Sequence, residues 1–308
     1  MGTTFNVTVV DVPRNITKRA VRENIEQSLK KANKHLSNWD NYSEISIFNR
    51  NKSVEKISVS PTLFEVLSCA SDINRKSFGY FDATISPLVE KWGFGAAKVE
   101  NLPPLPRDLA DAMKYSGNQR DIKIGDGTIQ KSNPNTEITL AGIGKGHGAD
   151  LIARGLSTLG IRNFLIEIGG DLVAKGNNPA GLSWQIGIEQ PEIGSTQFLD
   201  VVEISNLGMA SSGDYKNFFE RDGVKYSHII DPNTGSPVTH GTVAATVLAG
   251  NAMIADAWAT ALLTVGCSDG IQIANDNNVA VLFAEKDDQN DQAPFRITTN
   301  EWFDALRS

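Results

Sequence analysis

The chain of 308 residues is long enough for one large domain or two closely packed subdomains around a sizeable core. Its balance of 40% hydrophobic and 21% charged residues is that of an ordinary soluble globular protein. A net charge of −7 excludes a nonspecific nucleic-acid binder and requires any phosphate ligand to be held by local positive charge or a metal.

Residues 3–10 alternate and predict a strand. From Thr17 to Leu36 the residues Val21, Ile25, Leu29, Ala32 and Leu36 recur at helical spacing, which predicts an amphipathic helix. Leu36 to Asn49 then reads as a helix exit carrying an exposed Trp39 and Tyr42. Ser60-Pro61 is a helix start, a capping serine followed by a first-turn proline. Asn101 to Arg107 is extended and proline-rich, and a short helix is expected over Asp108–Met113. Ile122 to Ile138 predicts a hairpin turning near Gly125-Asp126-Gly127. A glycine-rich loop, Gly142–Gly148, opens a helix running to about Leu159. Strands follow at Asn163–Ile168, Trp184–Glu189, Val201–Ile204, Tyr226–Ile230 and Val243–Ala249, then a helix from about Met253 to Val265. Val279–Phe283 is a last strand, and Glu285–Gln292 a polar loop.

Helices and strands mix without regular alternation, which predicts an α+β fold with mixed or antiparallel sheets. The most apolar stretch, Val243 to Val265, carries Asn251 and Asp256, so it reads as buried strand, turn and buried helix rather than a membrane span. Cys69 and Cys267 are expected as buried free thiols, and the opening residues lack the pattern of an export signal.

Several segments have chemistry available. In Thr139–Asp150 the glycines permit close backbone approach and positive φ, the following helix start favours an anion, and Lys145 adds a cation; together these suit a phosphate. A tightly packed glycine turn explains the same residues equally well. Asp256 and Thr260 are one helical turn apart in an apolar helix, a pair of hard oxygens suited to magnesium or, more simply, a buried Asp bonded to nearby backbone. His228 precedes the turn Asp231-Pro-Asn-Thr-Gly235 and is either a general base or a structural histidine. Gly79–Gly95, with Tyr80, Phe81, Asp82 and Ala83, suits a flat ring ligand or an aromatic core corner.

The order of the segments is more specific than any one of them. MGTTF, LSNWDNYSEISIFN, GYFDATISPLVEKWGFG, LAGIGKGHGAD, FLIEIGGDLVAKG, WQIGIEQP, MASSGDY, HIIDPNTGSP and ADAWATALLTVG succeed one another from the start of the chain to about Gly266. This succession resembles the ApbE family of FAD:protein FMN transferases. The resemblance implies a single domain over residues 1–308 that moves FMN from FAD to a Thr or Ser hydroxyl of a client protein and releases AMP. It implies Mg2+ held by Asp256, Thr260 and the Gly142 backbone, with Lys145 near the FAD phosphates and His228 as acid–base residue. Met1, Trp39, Tyr80, Phe81, Asp82, Ala83, Thr139 and Ile230 would line the FAD site. Thr139 stands where many relatives have Asp, and Ala259 where some have a second acid near the metal. The client could be a redox-pump subunit, a lipid anchor outside this chain is compatible with the resemblance, and the implied compartment is the periplasm, with the cytoplasm open. An FAD pyrophosphatase and a non-catalytic FAD-binding protein are the alternatives.

Overall fold

A computed structural model describes residues 2–95, 102–117, 121–287 and 293–307. Asn101 of the proline-rich segment and residues 288–292 of the polar tail fall outside them.

The first strand, β1, is Phe5–Val10. Helix α1 (Lys18–Leu36) starts where the Thr17 hydroxyl accepts the Ala20 amide at 3.1 Å, and it buries Val21, Ala32 and Leu36. The segment expected as a helix exit contains a further helix, α2 (Glu44–Arg50), capped by Ser43 and anchored by Ile45 and Phe48. Seven residues are too few for a periodic signal, so the cap and the burial decide it. After β2 (Ile57–Ser58), helix α3 (Pro61–Lys76) begins at the predicted Ser60-Pro61. A 3-10 turn (Ala83–Ile85) enters α4 (Ser86–Lys91). Helix α5 (Pro106–Met113) takes Pro106 into its first turn and so begins before the expected Asp108. Strands β3 (Ile122–Gly125) and β4 (Thr128–Lys131) form the predicted hairpin, with Asp126 and Gly127 at φ 52° and 70°. It ends at Lys131 rather than Ile138, because a turn at Asn133–Thr136 redirects the chain.

Helix α6 (Gly144–Thr158) is followed by β5 (Asn163–Ile168), β6 (Asp171–Lys175), β7 (Trp184–Glu189), β8 (Phe198–Ile204) and β9 (Leu207–Gly213). Then come β10 (Phe218–Arg221), β11 (Val224–Ser227), β12 (Thr242–Ala249), α7 (Ala252–Val265) and α8 (Cys267–Asp276). The chain closes with β13 (Ala280–Lys286), β14 (Phe295–Thr299) and α9 (Glu301–Leu306). The strand expected to run to Ile230 stops at Ser227; Ile230 makes only an isolated bridge to Pro237. Glu285 and Lys286, expected in a loop, finish β13 by pairing with Arg296 and Phe295.

Seven strands form one sheet in the order β1-β5-β6-β9-β12-β13-β14, and every described strand pairing is antiparallel. The fold is therefore α+β. Helix α7 is the hub: it packs on β9, β12 and α6, and Asp256 sits among its buried residues. The largest apolar cluster joins it to α3, β4 and the sheet through Leu63, Leu67, Ile129, Val247, Trp258 and Leu262. Burying an apolar helix on most sides requires its polar groups to find partners, which is why Asp256 and Thr260 need a purpose there. No described helix is long and apolar enough to cross a membrane. Both cysteines are free, Cys267 buried and Cys69 half-buried.

Candidate active site

A cavity of about 700 Å3 opens between the face of the central sheet, the β7–β8 hairpin and the residues around the start of α6. Trp39, Tyr80, Phe81, Asp82, Ala83 and Thr139 line one part of it. Gly142, Lys145, His228, Ile230, Asp256 and Thr260 line it as well, beside residues of the central sheet and of β7 and β8. Every site residue expected from the sequence is thus brought to one cavity, except Met1, which lies outside the described residues.

The corner between α6 and α7 is the most constrained part. Gly144, Gly146 and Gly148 lie inside α6, and none of the four glycines from 142 to 148 has positive φ. The expectation of a loop with positive φ is therefore corrected: Gly142 and Gly146 serve close packing instead. A Cβ on Gly146 would overlap the Ala252 carbonyl oxygen and come within 2.9 Å of the Asp256 Cβ. A Cβ on Gly142 would stand 2.7 Å from the Thr260 hydroxyl oxygen. Asp150, further along α6, accepts the Ala252 and Met253 amides at 3.0 and 2.9 Å, and so caps α7 from outside it. Gly146→Ala is expected to push α7 off α6, costing about 1–3 kcal/mol of stability. Thermal unfolding and flavin transfer should fall together in that variant.

Asp256 is 2% exposed and uses both carboxylate oxygens. One accepts the Gly146 amide at 3.1 Å, and the other meets the Lys145 ammonium at 3.3 Å. Lys145 Nζ makes its shorter bond, 2.7 Å, to Asp171 Oδ2. Burial pulls the Lys145 pKa down, but Asp256 and Asp171 outweigh it and hold the ammonium above its ordinary range. Burial and then the Asp256 charge push the Asp171 carboxyl well up, with Lys145 opposing. Asp171 was not among the residues expected at the site. Its signal is the pair Gly169-Gly170, both at positive φ (57° and 97°), which turns β5 into β6 and aims the first residue of β6 inward.

Thr260 lies one turn beyond Asp256, with its hydroxyl 3.3 Å from that of Ser212 on β9. Ala259 is packed in the apolar core, away from the cavity. Asp256, Thr260 and the Gly142 backbone are all hard oxygen donors converging on one corner, a set that fits magnesium. Among the described residues no group of three or more His, Cys, Asp and Glu side chains is placed to hold a metal ion.

His228 follows β11 and faces the cavity. Its Nδ1 lies 2.9 Å from the Asn217 carbonyl oxygen, which can only accept, so Nδ1 carries the proton and Nε2 keeps a lone pair. Burial lowers its pKa from the ordinary 6.5, against the Asn217 bond and the Asp214 charge, so the ring is neutral at pH 7. The Phe94 ring stands edge-on to it at 6.2 Å. That geometry suits a general base and a structural histidine alike.

The ring-binding end is built by a different device. Asp82 turns its carboxylate onto the Thr84 amide and hydroxyl at 2.7 and 2.6 Å, holding the turn that presents Phe81 and Ala83. The Thr139 amide donates to the Ala83 carbonyl at 2.8 Å, tying this turn to the approach to α6. Trp39, 68% exposed, stands at the edge of the cavity where an incoming ring could cover it.

Comparison with known proteins shows the family of the chain. Residues 1–283 match the model of the ApbE family. The FAD:protein FMN transferase of Vibrio cholerae is 36% identical over 288 residues, covering 94% of this chain and 86% of that protein. That of Haemophilus influenzae is 37% identical over 287 residues, covering 91% and 83%. The structure of the flavin transferase ApbE from Vibrio cholerae superposes with a TM-score of 0.91 at 33% identity, covering 99% of this chain and 96% of that one. The apo flavinyl transferase ApbE of Pseudomonas stutzeri gives 0.89 at 30% identity, covering 100% and 94%.

Proposed function

Because this chain belongs to the ApbE family and is a flavin transferase, we propose that it moves FMN from FAD to a Thr or Ser hydroxyl of a client protein, releases AMP, and depends on magnesium. One observation carries the finer part of this reading. His228, with Nε2 left as an acceptor, lines the same cavity as Asp256 and Thr260 and as Tyr80, Phe81 and Trp39.

The residues divide the work as follows. Aromatic and apolar groups hold the ring systems of FAD. Lys145 and the start of α6 face the pyrophosphate with positive charge. Asp256, Thr260 and the Gly142 backbone would hold the magnesium ion. When bound, it supplies charge neutralisation at the pyrophosphate oxygens. His228 Nε2 accepts the proton of the client hydroxyl as that oxygen bonds to the FMN phosphorus. The bond from that phosphorus to the AMP oxygen breaks, and AMP departs with the electron pair. FMN is left joined to the client through a phosphodiester. Positioning and charge do most of this, as is general for phosphoryl transfer.

Incubation with FAD, magnesium and a client protein, followed by a denaturing gel viewed for flavin fluorescence, tests the proposal. A fluorescent client band with equimolar AMP is expected. Free FMN and AMP with no band would identify a pyrophosphatase, and bound FAD with no AMP a carrier.

A further inference from the structure

We propose that Asp171 is a positioning residue that retains the Lys145 ammonium when a divalent cation takes Asp256, and thereby sets the affinity of the site for that cation. This rests on the reading of Asp256 as a cation ligand. One ammonium serves two carboxyl groups here, and it sits closer to Asp171 (2.7 Å) than to Asp256 (3.3 Å). The Lys145 side chain is partly exposed, whereas Asp171 is 1% exposed at the start of β6. The turn before it is held on both glycines: the Gly169 amide donates to the Thr4 carbonyl at 3.1 Å and the Gly170 amide to Glu167 Oε1 at 2.8 Å.

An ammonium and a divalent cation repel when they share one carboxylate, so the two compete for Asp256. The position of Asp171 decides that competition. It gives the ammonium a second partner that a cation on Asp256 does not displace. Lys145 then moves aside by a short swing instead of leaving the site, and its charge stays beside the pyrophosphate position. Without Asp171 the ammonium has only Asp256, and the incoming cation must break that ion pair outright.

Calorimetric titration of the intact protein with Mg2+ alone, without FAD, tests this. Asp171→Asn is expected to weaken Mg2+ binding by about tenfold, equivalent to about 1.4 kcal/mol. Lys145→Met is expected to bind Mg2+ more tightly than wild type, because the competitor is gone. The double variant Lys145→Met/Asp171→Asn should return to wild-type affinity or better. Unchanged affinity in Asp171→Asn overturns the inference. So does a double variant as weak as Asp171→Asn, which would mean that Asp171 acts on the cation directly. A Lys145→Met protein no tighter than wild type overturns it as well, and that arm stands even where Asp171→Asn does not fold. No binding by wild type, or undiminished binding by Asp256→Asn, would instead remove the cation site itself.

Discussion

Asp256→Ala is expected to abolish flavin transfer, lowering the rate by at least about 10³-fold, since charge neutralisation carries most of phosphoryl transfer. The change removes the only carboxylate among the three groups read as magnesium ligands. The fold should survive it. The Gly146 amide loses its acceptor, a cost of about 1–3 kcal/mol for a buried donor. Against that, Asp171 is relieved of a buried carboxylate neighbour that pushes its pKa up, and Lys145 keeps its shorter bond to Asp171. The two effects oppose each other, so the melting temperature should move little while activity vanishes. Thermal unfolding by circular dichroism and in-gel flavin fluorescence check both halves. Wild-type flavinylation by this variant, with magnesium as the only metal, would falsify the ligand assignment.

His228→Ala is expected to lower kcat by about 10²–10⁴-fold, the range for loss of a general base. FAD affinity should change by no more than about threefold, because the ring reaches a proton and not the flavin's bulk. Equal losses in turnover and FAD binding would reassign His228 to binding. The pH dependence gives a second, independent reading. Neutral imidazole is the active form, and burial holds its pKa below the ordinary 6.5. Activity should therefore be flat near pH 7 and fall as pH drops through that lowered value, by about tenfold per unit once the ring is protonated. The same limb should disappear in His228→Ala. An acid limb centred above pH 6.5, or one that persists in the variant, points to a different base.

Much of the site was legible in the sequence because its groups lie on locally encoded elements. Asp256 and Thr260 share a face through helical geometry alone, and the uninterrupted apolar run around them foretold that the helix is buried. The starts of α1 and α3 were readable from Thr17 and Ser60-Pro61, since a cap is a local hydrogen bond. The β3–β4 turn was readable from Asp126-Gly127, where side-chain chemistry dictates φ. Short elements were not. Helix α2 and strands β10 and β14 are four to seven residues long, too short to show a period, and β10 went unread although β11 pairs with it directly across the Asp222-Gly223 turn.

The glycines of 142–148 show where local reading misleads. Taken alone, they signal a flexible loop with positive φ. In the fold they are helical or nearly so, and Gly142 and Gly146 are small because α7 presses against them. No local pattern distinguishes a glycine chosen for its φ from one chosen for its missing Cβ.

The sequence by itself therefore determined the family, the α+β class and the pairing of Asp256 with Thr260 on one helix face, since ordered motifs, cap chemistry and helical spacing are properties of the chain. Only the tertiary structure decided that His228 presents a lone pair, that Asp82 serves its own turn, and that Asp171 joins Lys145 and Asp256. Those three facts are contacts across 2, 11, 26 and 111 residues of chain. All but the first depend on which strands pair and which helices touch, and a carboxylate's or imidazole's chemistry follows from the neighbour that packing puts beside it.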